Sequence, residues 1–106
     1  LTDDDRALIA QTVADAPERR IIITHGTDTM THTAQALAGV SGKTIVLVGA
    51  LAPARFAESD ASFNLGMALA AAQVAAPGVW IAMNGTIFNG LKVRKDRAAN
   101  AFVAID

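Results

Sequence analysis

Cysteine is absent from all 106 residues. Disulfides, thiolate nucleophiles and thiolate metal sites are excluded together, and the redox compartment is left open. Long apolar runs are also lacking. The hydrophobic segments are strand-length or broken by polar residues, too short to cross a bilayer. Neither sign of charge predominates: nine Lys and Arg face ten Asp and Glu, a formal charge of −1. That balance argues against a nucleic-acid or anionic-membrane surface. No basic-then-apolar leader is visible, so cytoplasmic residence is the expectation. Repeats and low-complexity segments are missing too. What the chain has is hydrophobic material, 52% of its residues. That suffices for one modest core and one domain, residues 1–106.

The chain is organised around residues 21–30. A β-branched run, Ile21 to Thr24, stops at Gly26, and Thr27 and Asp28 follow at once. Met30, Thr33, Ala34 and Leu37 then recur at helical spacing. Strand, tight turn and helix start fall together, with a hydroxyl beside a carboxylate in the turn.

Before this turn, residues 2–16 read as a helix. Thr2 is its N-cap, Asp3 to Asp5 favour the positive end of its dipole, and Pro17 ends it. Leu8, Ile9, Val13 and Ala16 form its apolar stripe. Arg20 to Thr24 is the first strand, and its consecutive apolar residues suit a strand covered by helices on both faces. The second helix, capped by Thr27 or Asp28, runs to about Ala38 and closes on Gly39. Lys43 to Gly49 is a second buried strand, followed by an irregular loop, residues 50–58, marked by Pro53. Ser59 or Asp60 caps a third helix, with Phe63, Met67, Ala70 and Val74 on one face, and Pro77-Gly78 ends it. Gly78 to Met83 is a third buried strand, ending in a polar loop at Asn84-Gly85-Thr86. Asn89-Gly90, flanked by apolar residues, predicts a hairpin over 87–93. A last strand lies near residues 102–105. Strands alternating with helices imply right-handed crossovers and a three-layer α/β/α fold with a mainly parallel sheet. The turns at 25–30, 49–59 and 84–95 then emerge at one sheet edge, where ligands bind in such sheets.

Thr27 and Asp28 read either as an activated hydroxyl with its carboxylate or as helix-capping residues. Lys95 reads either as a group that lowers the pKa of a hydroxyl or accepts its proton, or as one charge of the solvated Lys92-Arg94-Lys95-Arg97 cluster. His25 and His32 match no zinc spacing even with Asp28, and a metal is not expected. Residues 39–44 (GVSGKT) have the wrong spacing for a phosphate loop and precede a strand, so they read as a turn. Asn84-Gly85-Thr86 formally fits the N-glycosylation pattern.

The combination is more specific than its parts. ITHGTDTM (23–30) resembles the second signature of the bacterial-type L-asparaginases. KTIVLVGALAP (43–53) resembles that family's strand ending in Gly-Ala-Met-Arg-Pro. SDASFNLGMALAAA (59–72) is similar to its Ser-Asp-Gly…Phe-Asn-Leu helix, and MNGTIFNGLKVRK (83–95) to its Met-Asn…Gly…Val-x-Lys hairpin. The order and spacing of these motifs also agree with the family, over nearly the whole chain.

This resemblance implies a flavodoxin-like sheet and an amidohydrolase that converts L-asparagine, or L-glutamine, to the diacid and ammonia. It implies a catalytic Thr27-Lys95-Asp28 unit. Asp28 would also hold the substrate's α-amino group, and Gly26 and the Ala50 carbonyl would contact substrate, the latter at the side-chain amide. It implies a small-molecule substrate, no metal or organic cofactor, no nucleic acid or membrane partner, and a homo-oligomer. Residues 3–95 look most like the family's short proteobacterial forms.

The departures are specific. The family's first threonine, its nucleophile, lies in a Thr-Gly-Gly-Thr loop with a tyrosine just beyond. This chain contains neither that loop nor any tyrosine. Ala52 stands where the family has arginine, and Ala61 where it has glycine. The expectation is the central part of an asparaginase N-terminal domain whose first nucleophile lies outside these 106 residues. Two other readings keep the fold and change the role. One is the amidase component of a tRNA-dependent amidotransferase. The other is a degenerate module that binds an amino acid, or a partner, without turnover.

Overall fold

The computed structural model describes residues 1–51 and 60–106. The elements run α1 (Asp3–Asp15), β1 (Arg20–Thr24), α2 (Met30–Ala36), β2 (Thr44–Val48), α3 (Ala61–Val74), β3 (Gly78–Met83), β4 (Thr86–Asn89), β5 (Val93–Asp96) and β6 (Ala101–Ala104). The expected features at Ala52, Pro53 and Ser59 lie outside the described residues.

β1, β2 and β3 pair in parallel, with Ile22 opposite Val46 and Val46 opposite Trp80. β4 adds antiparallel to β3, giving the order β1-β2-β3-β4. β5 and β6 form a separate antiparallel pair. The mainly parallel α/β sheet is therefore present. On one face Ile45, Leu47, Val79, Ile81 and Met83 pack with Met30, Ala34, Leu37 and Val13 from the helices and Val93 and Phe102 from the second sheet. On the other, Val46, Val48 and Ala82 meet Ala68, Ala71 and Ala72 of α3. Alternate residues of β2 thus feed opposite cores, which is why the strand reads as an unbroken apolar run and is buried throughout. β1 has the same composition yet is only half-buried, because it stands at the sheet edge among the described residues.

Thr2 caps α1 as its sequence suggests. Asp5 N–H donates to Thr2 Oγ1 at 3.1 Å, and Thr2 N–H donates to Asp5 Oδ2 at 2.8 Å. This reciprocal box satisfies two of the donors a helix start leaves open. The bond from the Thr2 backbone N–H, and after it the Thr2 side chain, hold the Asp5 carboxyl below its ordinary value.

Four local expectations are corrected. Neither Thr27 nor Asp28 caps α2; Thr29 occupies that position, with no side-chain cap bond. Leu8 faces outward, 66% exposed, and Val13 is the buried residue of α1. On α3 the face that packs carries Asn64, Ala68, Ala71 and Ala72, while Phe63 is 61% and Val74 85% exposed. A helix apolar on every side gives no stripe to choose between, and the small alanines let its backbone sit close to the sheet. The hairpin, finally, turns at Asn84-Gly85 and not at Asn89-Gly90. Met83 pairs with Thr86, and Asn84 and Gly85 have φ of 47° and 97°, both positive as a type I′ turn requires. Gly90 is buried, and its N–H donates to the Val79 carbonyl at 2.8 Å.

Candidate active site

Parallel β1, β2 and β3 send their following turns to one edge of the sheet, and the candidate residues gather there. The His25–Asp28 turn leaves β1 under tight local control. His25 N–H continues the ladder by donating to Val48 O at 2.9 Å. Its ring bonds the Gly26 carbonyl through Nδ1 at 2.6 Å and Thr33 Oγ1 through Nε2 at 2.7 Å. A carbonyl only accepts, so Nδ1 carries the hydrogen, and in the neutral ring Nε2 accepts from the hydroxyl. Thr33 is fully buried on α2. His25 therefore clamps the turn to the helix that follows it, a positional task in place of the metal-ligand one.

Lys95 reaches this turn from β5. It does not leave the β3 hairpin directly, as the sequence suggests, but sits on a second hairpin, opposite Phe102 of β6. Its Nζ donates to Thr27 Oγ1 at 2.8 Å and to Asp28 Oδ1 at 2.7 Å. The two contacts span 68 and 67 residues of sequence. The lysine side chain is 12% exposed and the aspartate 67%. A solvated charge in a basic cluster does not describe Lys95. Arg97 approaches the same turn, with its guanidinium 3.5 Å from the Asp28 carbonyl oxygen. The Asp28 carboxyl is held below its ordinary value of 3.8, first by the Lys95 hydrogen bond, then by the Lys95 charge and the Arg97 charge. Asp28 is thus an ionised carboxylate facing solvent.

Gly49 and Ala50 follow β2 beside this turn. Gly49 has no room for a side chain: a Cβ there would run into the His25 carbonyl and lie 3.3 Å from Thr27 Cγ2. Gly49 and Ala50, with Thr24, His25 and Leu65, help line a cavity of about 200 Å³. Gly26 is exposed at the surface of the turn. Thr27, Asp28 and Lys95 are therefore in mutual contact, with Gly26 next to them in the chain and Ala50 on the adjoining loop.

A polar network behind the β2 loop centres on Asp60 and Asn64, which lie in the Ser-Asp…Phe-Asn-Leu stretch but were not singled out as site residues. Asn64, fully buried on α3, donates through Nδ2 to Gly49 O at 2.8 Å and to Asp60 Oδ2 at 3.2 Å. Its Oδ1 accepts from Asn84 N–H at 2.8 Å. Asp60 Oδ2 also accepts from Leu51 N–H at 3.0 Å and Asn84 Nδ2 at 2.8 Å. A usable signal was present: Asn64 shares helical spacing with Ala68, Ala71 and Ala72, so a lone amide lay on the small-residue face.

Known proteins resemble this chain in sequence and fold. The family profile described as "Asparaginase, N-terminal" matches residues 1–106. An L-asparaginase of Thermococcus kodakarensis is 37% identical over 91 residues, covering 81% of this chain and 28% of that protein. A glutaminase-asparaginase of Acinetobacter glutaminasificans is 36% identical over 104 residues, covering 90% and 31%. One of the subunits of the glutamyl-tRNA(Gln) amidotransferase of Methanococcus vannielii is 45% identical over 84 residues, covering 71% and 20%. The solved thermostable L-asparaginase of T. kodakarensis superposes with a TM-score of 0.86 at 32% identity, covering 99% of this chain and 34% of that one. The chain thus spans about a third or less of the length of these relatives. By profile, sequence and fold alike, this chain belongs to the asparaginase family and corresponds to its N-terminal domain.

Proposed function

We propose that this chain supplies the threonine-lysine-aspartate part of an amidohydrolase site acting on the side-chain amide of L-asparagine or L-glutamine. The observation that carries the reading is the position of Lys95 Nζ, within hydrogen-bond distance of both Thr27 Oγ1 and Asp28 Oδ1. Amide hydrolysis needs an activated oxygen nucleophile, a group that moves its proton, and donors for the developing oxyanion. Lys95 as an ammonium favours the ionised Thr27 hydroxyl; as a neutral amine it takes the hydroxyl proton. Asp28, kept ionised, pairs with the substrate's α-ammonium group. The Ala50 carbonyl accepts a hydrogen bond from the scissile amide nitrogen. An oxygen adds to the amide carbonyl carbon, the C–N bond breaks, and the nitrogen leaves as ammonia with the transferred proton. Water supplies the hydroxyl that completes the diacid. The nucleophile of the first step comes from sequence outside these residues, and the working site is a homo-oligomer's.

The intact protein is expected to release ammonia from L-asparagine or L-glutamine, and Thr27→Ala to abolish that release. No turnover of either amide, or a Thr27→Ala rate equal to the parent's, overturns the reading. A second reading follows from the similarity to an amidotransferase component: an amidase whose ammonia is passed to a partner. It requires ammonia release to depend on that partner, whereas the hydrolase reading requires full turnover by the protein alone.

A further inference from the structure

The Ala50 carbonyl is useful only if it points in a fixed direction, and the network at the start of α3 holds both peptide units that flank Ala50. Asn64 Nδ2 donates to Gly49 O, the oxygen of the 49–50 peptide. Asp60 Oδ2 accepts from Leu51 N–H, the hydrogen of the 50–51 peptide. That second peptide also contains the Ala50 carbonyl. In a planar trans peptide N–H and C=O point opposite ways, and the chain has no cis bond among its described residues. With Leu51 N–H held toward Asp60, the Ala50 oxygen is directed away from the start of α3. A Cβ on the preceding glycine would lie 3.3 Å from the Thr27 methyl, and the glycine carbonyl is held by Asn64. Asn84 ties the same carboxylate to the β3–β4 turn, so three segments share one anchor.

We propose that Asp60 and Asn64 are positioning residues which orient the Ala50 carbonyl toward the leaving amide of the substrate. The inference rests on the amidohydrolase reading above. Neither side chain touches substrate; both act through the 49–51 backbone. A group displaced by about 1 Å costs on the order of 10²-fold in rate even when the chemistry is intact. Burial and full hydrogen bonding of Asn64 limit such displacement.

The test compares two substrates in the intact protein. L-Asparagine has an amide N–H for the Ala50 carbonyl to accept; the β-methyl ester of L-aspartate has none. Asp60→Ala is expected to lower kcat/KM for L-asparagine by about 10- to 100-fold while leaving the ester within about threefold of the parent. Asp60→Asn retains one carboxamide oxygen for Leu51 N–H and the Asn64 and Asn84 amides and is expected to restore the amide rate to within about threefold. An equal fall on both substrates, or no fall on either, overturns the positioning role while the hydrolase reading stands. If the parent protein cleaves neither amide nor ester, the hydrolase reading fails and this inference fails with it. If the Asp60 variants do not fold, Asn64→Ser supplies the comparison. It withdraws the amide donor facing Gly49 O without burying a second carboxyl beside Asp60, and the same amide-selective loss is required of it.

Discussion

Lys95 carries two short contacts from a nearly buried position, and both partners depend on its charge. Lys95→Met keeps much of the aliphatic stem and removes the ammonium. It is expected to lower kcat by about 10²- to 10⁴-fold, the range for losing a proton-transfer group, as read in an ammonia-release assay. The same change tests the electrostatics of Asp28. Its folded-state pKa lies below 3.8, mainly because of the Lys95 hydrogen bond. A depressed carboxyl contributes stability that is present above the unfolded value and lost as pH falls through the folded one. The Asp28 contribution therefore disappears only below pH 3.8, and the Asp28 carboxylate is ionised throughout the neutral range. In Lys95→Met the Asp28 carboxyl, followed by NMR, is expected to titrate closer to 3.8. An unchanged Asp28 titration would contradict the assigned cause. Nothing in the spacing of residues 27, 28 and 95 shows that they meet. By residue type alone the bland alternatives, helix cap and solvated charge, were the commoner case, and only the resemblance to the asparaginase motifs put the three residues in one unit.

Among the elements, the two Asn-Gly pairs show how one local signal has two outcomes. Asn84-Gly85 makes the turn, with both φ values positive. Asn89-Gly90 ends β4, where Gly90 is needed for space: a Cβ would lie 2.9 Å from Val79 O, 3.1 Å from Val79 Cγ1 and 3.2 Å from Ala34 Cβ. Both glycines are expected to resist replacement, for different reasons. Gly85→Ala costs about 1 kcal/mol through backbone strain at an exposed turn. Gly90→Ala costs about 1–3 kcal/mol because backbone and core must shift to admit a methyl group. Chemical denaturation of the two variants separates them, and a Gly90→Ala protein as stable as the parent would contradict the packing. The pattern of α3 was misleading for a related reason. Its large residues suggested a core face, but a close approach to β2 and β3 selects the smallest side chains, not the most hydrophobic.

For the molecule as a whole, the Cα radius of gyration is 13.1 Å, close to the value of about 13 Å for a domain of this length. The core is complete between the layers, yet the boundary is not. β1 has no neighbour on its outer side among the described residues, and Leu8, Phe63, Leu69 and Val74 are all more than half exposed. An unpaired parallel strand and large exposed side chains favour association. Residues 1–106 produced alone are therefore expected to self-associate, by light scattering, beyond the 11.0 kDa of one chain. A stable single-chain mass would count against this.

The order and type of the principal helices and strands, the parallel sheet and the family motifs were determined by the sequence itself. Each rests on local periodicity, on capping and breaking residues, or on a contiguous string, and such features survive without knowledge of distant contacts. Strand β1 at Arg20–Thr24, strand β3 at Gly78–Met83 and the Thr2 cap of α1 were legible to the residue. Which Asn-Gly pair turns, which face of α3 packs, and which residue caps α2 were decided only by tertiary structure. In each case two local solutions were nearly equivalent, and the available space chose between them. The site belongs to the same class. Thr27, Asp28 and Lys95 were readable as residue types and as a unit only by resemblance, and Lys95 reaches its partners across 68 residues; the motif that holds Asp60 and Asn64 does not reveal that both bond the loop after β2. Only the packing of β5 beside the β1 turn, and of α3 beneath the β2 loop, converts those side chains into one arrangement.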